Sequence, residues 1–417
     1  MKVNKRTISQ YILLYILLVS NASAWYISTP NFVYVVLAIA LFVPLLLKVN
    51  VINQKFIVFI AAFTFSVTLC RVVNNGGIGI NYIIDFGAKA LIVNVAYLVD
   101  RENAPRRFIN CISIFALISV IAFTISTIQP EILTNILGEF SVENARYDYQ
   151  NIYYGKLLYT YQNPERNCGI YTEPALYQMV LTSGLYILLY APSVTRYNEK
   201  KIRNRILLLT TTIITTFSAT AYISLVVLML PVILIKTYNE TKVKKYASWI
   251  FSIIVLVLIG EYIINAEDSI LSVYLFEKTG DIGTSSGNSL NSGDARIAVM
   301  IMSLYSIIRN PFGIGASGYA TLANAWNYTN AAGNGLFYYL MVLGIFGWLS
   351  AILYIMVPMF KHKRNVLSFV VFVGIYIIAT VSQSYIFSPA ILFITLIDLK
   401  DKNHQNEITL LRQKRKT

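Results

Sequence analysis

Two guanidinium groups and two carboxylates stand close enough in the chain to act together. Arg166 lies shortly before Glu173, and Arg296 lies just after Asp294. A guanidinium presents a planar fork of donors to anionic oxygens, so Arg166 and Arg296 are candidates for holding a phosphate-bearing lipid. The alternative is that each pairs with a neighbouring carboxylate. Glu173 and Asp294 are the leading proton acceptors, because the only histidines, His362 and His404, fall in strongly basic segments elsewhere. Without a closely spaced set of carboxylates and imidazoles, no transition-metal site and no cofactor is expected. A third polar feature is Asp85 with Lys89 inside an apolar run. A spacing of four stacks them on one helix face, where they can neutralise each other. Such a pair is either structural or lines a site, with Arg71 as a further member.

Two stretches carry candidate substrate-binding residues. The first holds Arg146, Tyr147, Tyr149, Tyr153 and Tyr154, followed by Tyr159 and Tyr161 and interleaved with Asp148, Gln150, Asn151 and Lys156. Aromatic faces with adjacent hydrogen-bonding groups suit sugars, and they equally suit the boundary between headgroups and hydrocarbon, where Tyr is enriched. The second opens with a Ser-, Gly- and Asn-rich stretch over 285–293 that reads as flexible. It continues through Asn310-Pro311-Phe312-Gly313-Ile314-Gly315, whose Gly313 and Gly315 allow close backbone approach.

The elements that position these residues are set by composition. Of 417 residues, 56% are hydrophobic and 13% charged, against about a quarter charged in a soluble domain. The expected fold class is an all-α polytopic integral membrane protein, one domain over 1–417. About twelve apolar segments are read: 8–26, 30–47, 56–73, 82–99, 108–126, 171–191, 206–217, 218–235, 246–265, 334–360, 366–382 and 386–399. With both termini cytoplasmic, the inside segments hold all Lys and Arg except Arg71, Lys89, Arg146, Lys156, Arg166, Lys278, Arg296 and Arg309. That asymmetry explains the net charge of +14 through membrane insertion and anionic headgroups rather than nucleic acid. It also puts two large loops, 127–170 and 266–333, on the extracytoplasmic face. The apolar stretch 206–235 is too long for one crossing and predicts a hairpin turning near Ser218. The short run from Ile297 to Ile308 predicts a surface or re-entrant helix. The N-terminal segment through Ala24 reads as an uncleaved first helix, a cleaved signal being the alternative. Cys70, Cys111 and Cys168 are too few and scattered for a disulfide framework.

The run Arg166-Asn167-Cys168-Gly169-Ile170-Tyr171-Thr172-Glu173-Pro174 resembles the Arg-x-x-Gly to Glu-Pro element of bacterial O-antigen polymerases. Arg296, the Asn310 to Gly315 run, and Asn334 leading into Gly344-Ile345-Phe346-Gly347 are similar to the second-loop pattern of the same Wzy-type polymerase/ligase superfamily. The resemblance covers 166–347. It implies a metal-independent, inverting glycosyltransferase of the inner membrane that works in lipopolysaccharide or related polysaccharide biosynthesis. A growing glycan on undecaprenyl pyrophosphate would pass to a lipid-linked repeat unit on the periplasmic face. Arg166 and Arg296 would bind the pyrophosphate and stabilise it as it leaves. The implied partners are the undecaprenyl-pyrophosphate-linked oligosaccharide, membrane lipid and a chain-length regulator protein. The ligase branch usually carries a His shortly before the position of Asn334, where this chain has Ala331, Ala332 and Gly333. The alternatives are that ligase, or a lipid-linked oligosaccharide flippase or transporter. Transporters of this size commonly show internal repeats with short loops, and this chain has neither.

Overall fold

The structure, a computed structural model, describes residues 5–29, 31–50, 54–74, 79–129, 141–143, 148–150, 166–234, 241–265, 292–326, 334–361, 366–383 and 385–397. Apart from a two-stranded ribbon, the regular elements among them are helices. They run α1 (Lys5–Val19), α2 (Ala24–Ser28), α3 (Phe32–Leu47), α4 (Gln54–Val73), α5 (Asn81–Leu98) and α6 (Ala104–Ile128). The ribbon pairs β1 (Ser141–Glu143) antiparallel with β2 (Asp148–Gln150), Val142 opposite Tyr149. Then come α7 (Pro174–Tyr190), α8 (Pro192–Thr195), α9 (Glu199–Thr215), α10 (Ala219–Leu234) and α11 (Thr241–Asn265). The chain continues through α12 (Ser292–Arg309), α13 (Gly315–Ala325), α14 (Gly335–Lys361), α15 (Val366–Ser382) and α16 (Pro389–Leu396).

This is the architecture of a helical membrane protein. Gln54–Val73, Ala104–Ile128 and Gly335–Phe360 are each long and apolar enough to cross a bilayer, and α3, α7, α10 and α15 are shorter apolar helices. Outward faces carry apolar side chains such as Leu45, Phe65, Ile128 and Val366, all more than half exposed. Water would not tolerate so continuous an apolar surface, whereas lipid does. Helix α7 is the hub, buried on every face from Pro174 to Leu189. Between such helices packing replaces the hydrophobic effect. Phe59 stacks on Tyr354 at 4.2 Å and Phe86 on Phe387 at 4.8 Å. Asn94 ties α5 to α14 by donating to the Tyr354 hydroxyl at 2.8 Å.

Polar contacts tie the helices together at two ends of the bundle. At one end Gln10 donates to the carbonyls of Ala96 and Asp100, Arg107 pairs with Asp100 at 2.7 Å, and the Tyr197 hydroxyl donates to Asn110 at 2.6 Å. This end gathers Arg101, Arg106, Arg107, Arg196 and Arg205, and is called the basic end below. At the opposite end the Ala24 N–H donates to the Ile170 carbonyl, the Tyr171 hydroxyl to the Leu18 carbonyl, and the Asn167 N–H to the Thr215 carbonyl.

Three local features refine the sequence reading. The expected hairpin is present: α9 and α10 meet at Thr216 to Ser218, with Phe217 at φ 43° and the Tyr222 hydroxyl donating back to the Ile214 carbonyl. Its first limb begins at the Asn198 cap, so α9 is longer than its apolar part. The run from Ile297 to Ile308 lies within the longer α12, which packs on α14 through Val299 and Met302. The last expected span, 386–399, is different. Its helix α16 has 8 residues, about 12 Å, which cannot cross a core of about 30 Å. Pro389 fixes where α16 starts, and the preceding chain is buried and irregular. Its polar groups are met from elsewhere in the bundle, the Ser388 hydroxyl bonding the side chain of Asn21 in the turn between α1 and α2 and the Ile386 carbonyl accepting from Tyr376 of α15.

Candidate functional site

Glu173 occupies the N-cap of α7, and Pro174 at the first helical position starts that helix where no N–H is needed. Its carboxylate does not cap its own helix, so it is available to the end of the bundle opposite the basic one. The helix dipole favours a negative charge there. Gln383, 210 positions away, donates its Nε2 to Glu173 Oε2 at 2.7 Å.

Arg296 comes to the same place from α12. The Glu173 carboxylate acts electrostatically on its guanidinium. One terminal nitrogen donates to the Ser382 carbonyl at 3.4 Å, while the buried Nε has no hydrogen-bond partner among the described residues. Leaving a buried charged donor unmet is costly, so this geometry suits an anionic acceptor from outside the protein. Asn334 is buried beside it, donating its Nδ2 to the Arg296 carbonyl at 3.2 Å and accepting from the Phe337 N–H to cap α14. The Gly335 N–H then donates to the Gln383 carbonyl at 2.7 Å.

The buried ion pair adjoins this centre. Lys89, 3% exposed, reaches Asp85 at 2.6 Å, and the Tyr26 hydroxyl also donates to Asp85. The Lys89 ammonium lies over the rings of Tyr385 at 4.4 Å and Tyr26 at 5.2 Å. Tyr385 follows Gln383 in the short segment between α15 and α16, so that segment links the ion pair to Glu173. Arg71 does not join the pair; it lies exposed at the end of α4. Aromatic faces are supplied by Tyr82, whose hydroxyl is 3.2 Å from that of Tyr338, and by Tyr319 packed edge-on against Tyr338.

The other expected residues fall as follows. Arg166 donates its Nε to the Thr216 carbonyl at 3.2 Å, on the hairpin turn. Asn167, which follows it, is fully buried, bonding Thr215 Oγ1 at 3.0 Å and Ser119 at 3.3 Å while its own oxygen accepts the Gly169 N–H. The stretch beginning at Arg166 is therefore anchored to α6 and α9 before it delivers Glu173. Asp294 is half-buried in the first turn of α12. Arg146, Tyr147, Tyr153 and Tyr154 lie outside the described residues, and of Tyr149 only the backbone, in β2, is described.

The glycines do permit a close backbone approach, and what approaches is the protein's own α14. Gly344, at φ 71°, kinks that helix. Gly313, at φ 86°, packs against it so tightly that a Cβ there would sit 2.5 Å from the Gly344 nitrogen. The Ile345 N–H donates to the Pro311 carbonyl and the Ile314 N–H to the Met341 carbonyl, while Gly315 is buried at the start of α13. Asn310 forms the turn, its carbonyl accepting from the Gly313 N–H at 2.9 Å. The run thus clamps the kink in α14.

Gln383, Tyr385 and Tyr26 are members that sequence reasoning missed. The signal for Gln383 and Tyr385 was the polar run beginning at Ser382 between two apolar segments, which reads as a simple connection; Tyr26, in α2, carried none. Chemically, the site combines a half-buried guanidinium whose buried Nε is unmet with a carboxylate held in place by an amide. That combination can bind and stabilise an anion and accept a proton beside it. No family model, curated protein or solved structure matches the chain, so its function is read from this geometry.

Proposed function

We propose that the protein is an O-antigen or related surface-polysaccharide polymerase, transferring a growing glycan from undecaprenyl pyrophosphate to a lipid-linked repeat unit. The observation that carries this reading is the Arg296 guanidinium, its Nε unmet, beside Glu173 at the bundle end opposite the basic one. The concentration of Lys and Arg at the basic end supports a cytoplasmic orientation for that end, which turns Arg296 toward the periplasm. An acceptor sugar hydroxyl attacks the anomeric carbon of the donor from the face opposite the pyrophosphate, and its proton passes to a carboxylate, Glu173 or Asp294. The anomeric C–O bond breaks with its electron pair going to the pyrophosphate, whose charge Arg296 and Arg166 stabilise. Tyr82, Tyr319 and Tyr338 supply faces on which sugar rings can pack.

The test is polymerisation by purified protein from a synthetic lipid-linked repeat unit. The wild type yields a ladder with or without chelator, and Arg296→Ala lowers the rate by about 100-fold or more. Absence of any ladder from wild-type protein would refute the reading. In cells, deletion leaves lipid A core bearing a single repeat; ladder loss without that band points instead to a ligase or a flippase.

A further inference from the structure

Away from the candidate site, a groove of about 670 Å³ runs between α9 and α11, and its polarity is graded along its length. Its mouth, at the basic end, carries Arg203 and Lys245, both exposed. The Arg203 guanidinium lies 6.0 Å from the centre of the Tyr246 ring, and neither cation is held in an ion pair among the described residues. Deeper, the walls become aliphatic, with Leu207 and Ile250 followed by Ile214 and Ile254. Midway lies Thr210, 1% exposed, whose hydroxyl has no hydrogen-bond partner among the described residues.

The length of the groove identifies the class of ligand. At 1.5 Å per residue, Arg203 to Ile214 spans about 16 Å and Lys245 to Ile254 about 14 Å. Half of a hydrocarbon core of about 30 Å is about 15 Å. A site with two cations at one end, the hydroxyls of Thr210 and Thr211 partway down and a largely apolar channel one leaflet deep matches a phosphate, a glycerol ester and an acyl chain in that order. We propose that the groove between α9 and α11 binds an anionic phospholipid of the leaflet that meets the basic end. The headgroup phosphate lies between Arg203 and Lys245, an ester oxygen accepts from Thr210, and one acyl chain follows the channel. This site does not depend on the polymerase reading.

The test uses the full chain purified in detergent and loaded with phosphatidylglycerol or phosphatidylcholine of matched acyl chains, retained lipid being counted by native mass spectrometry. Phosphatidylglycerol is retained in preference. Arg203→Ala with Lys245→Ala lowers its retention by about 30-fold, roughly fivefold per cation. Ile253→Trp, at a groove position 45% exposed, obstructs the channel, leaves both cations in place and also lowers retention. Excess inorganic phosphate does not displace the lipid. Equal retention of the two lipids, undiminished retention by either variant, or full displacement by inorganic phosphate would each overturn the proposal.

Discussion

Removing one member of the Asp85–Lys89 pair should harm the protein far more than removing both. Lys89 is the more deeply placed partner, its side chain 4% exposed against 28% for Asp85. In Asp85→Leu the ammonium stays buried without its carboxylate, a situation that costs about 3–5 kcal/mol. The rings of Tyr385 and Tyr26 offset part of this, at up to about 2 kcal/mol for a desolvated cation over an aromatic face. The net loss is about 2–4 kcal/mol. In Lys89→Met the remaining carboxylate keeps the Tyr26 hydroxyl and some access to solvent, so the loss falls to about 1–2 kcal/mol. In the double variant an apolar pair of similar volume replaces the ions, which is often neutral or stabilising. It should therefore recover most of the stability, with a coupling of about 3 kcal/mol or more, close to the sum of the two single losses. The assay is thermal unfolding of the four purified forms in one detergent, followed by size-exclusion chromatography after heating. Additive losses, or a Lys89→Met variant weaker than Asp85→Leu, would refute the reasoning. The same four forms show whether the pair works in the reaction. A structural pair leaves the double variant making long chains, and a pair that touches substrate does not.

The crossing of α14 with the α12–α13 turn gives a second expectation. Gly344→Ala puts a methyl group 2.3 Å from the Phe312 carbonyl carbon and forces a left-handed conformation on alanine. It should cost about 3 kcal/mol or more in thermal stability, whereas Gly79→Ala, whose nearest contact would be at 3.8 Å, should be mild. Asn167→Ala removes three buried hydrogen bonds and should destabilise by about 2–4 kcal/mol, loosening the segment that carries Arg166. Arg166→Lys and Arg296→Lys test whether the planar fork matters: an ammonium keeps the charge and loses the bidentate geometry. Chain synthesis should fall at least tenfold in each while the protein still inserts, and unchanged ladders from both would remove the arginines from the reaction.

The all-helical, membrane-embedded character and most of the apolar helices could be read from the sequence. In lipid every backbone polar group must be met within its own element, so an apolar run of sufficient length has little choice but to be helical. Arg296 and Glu173 were legible as candidates because they depart from their surroundings, whereas Asn334 was pointed to by the family resemblance alone. Their meeting was not legible, since Gln383 reaches Glu173 across 210 positions and nothing local encodes that contact. Composition alone could not reveal that the described residues 386–397 hold a short helix after a buried irregular stretch, because such a segment is as apolar as a span once its polar groups are met from elsewhere in the bundle. The glycine-rich run at Gly313 announced a close approach without naming its partner. Only packing in three dimensions made that partner Gly344 and set Asn334 against the arginine.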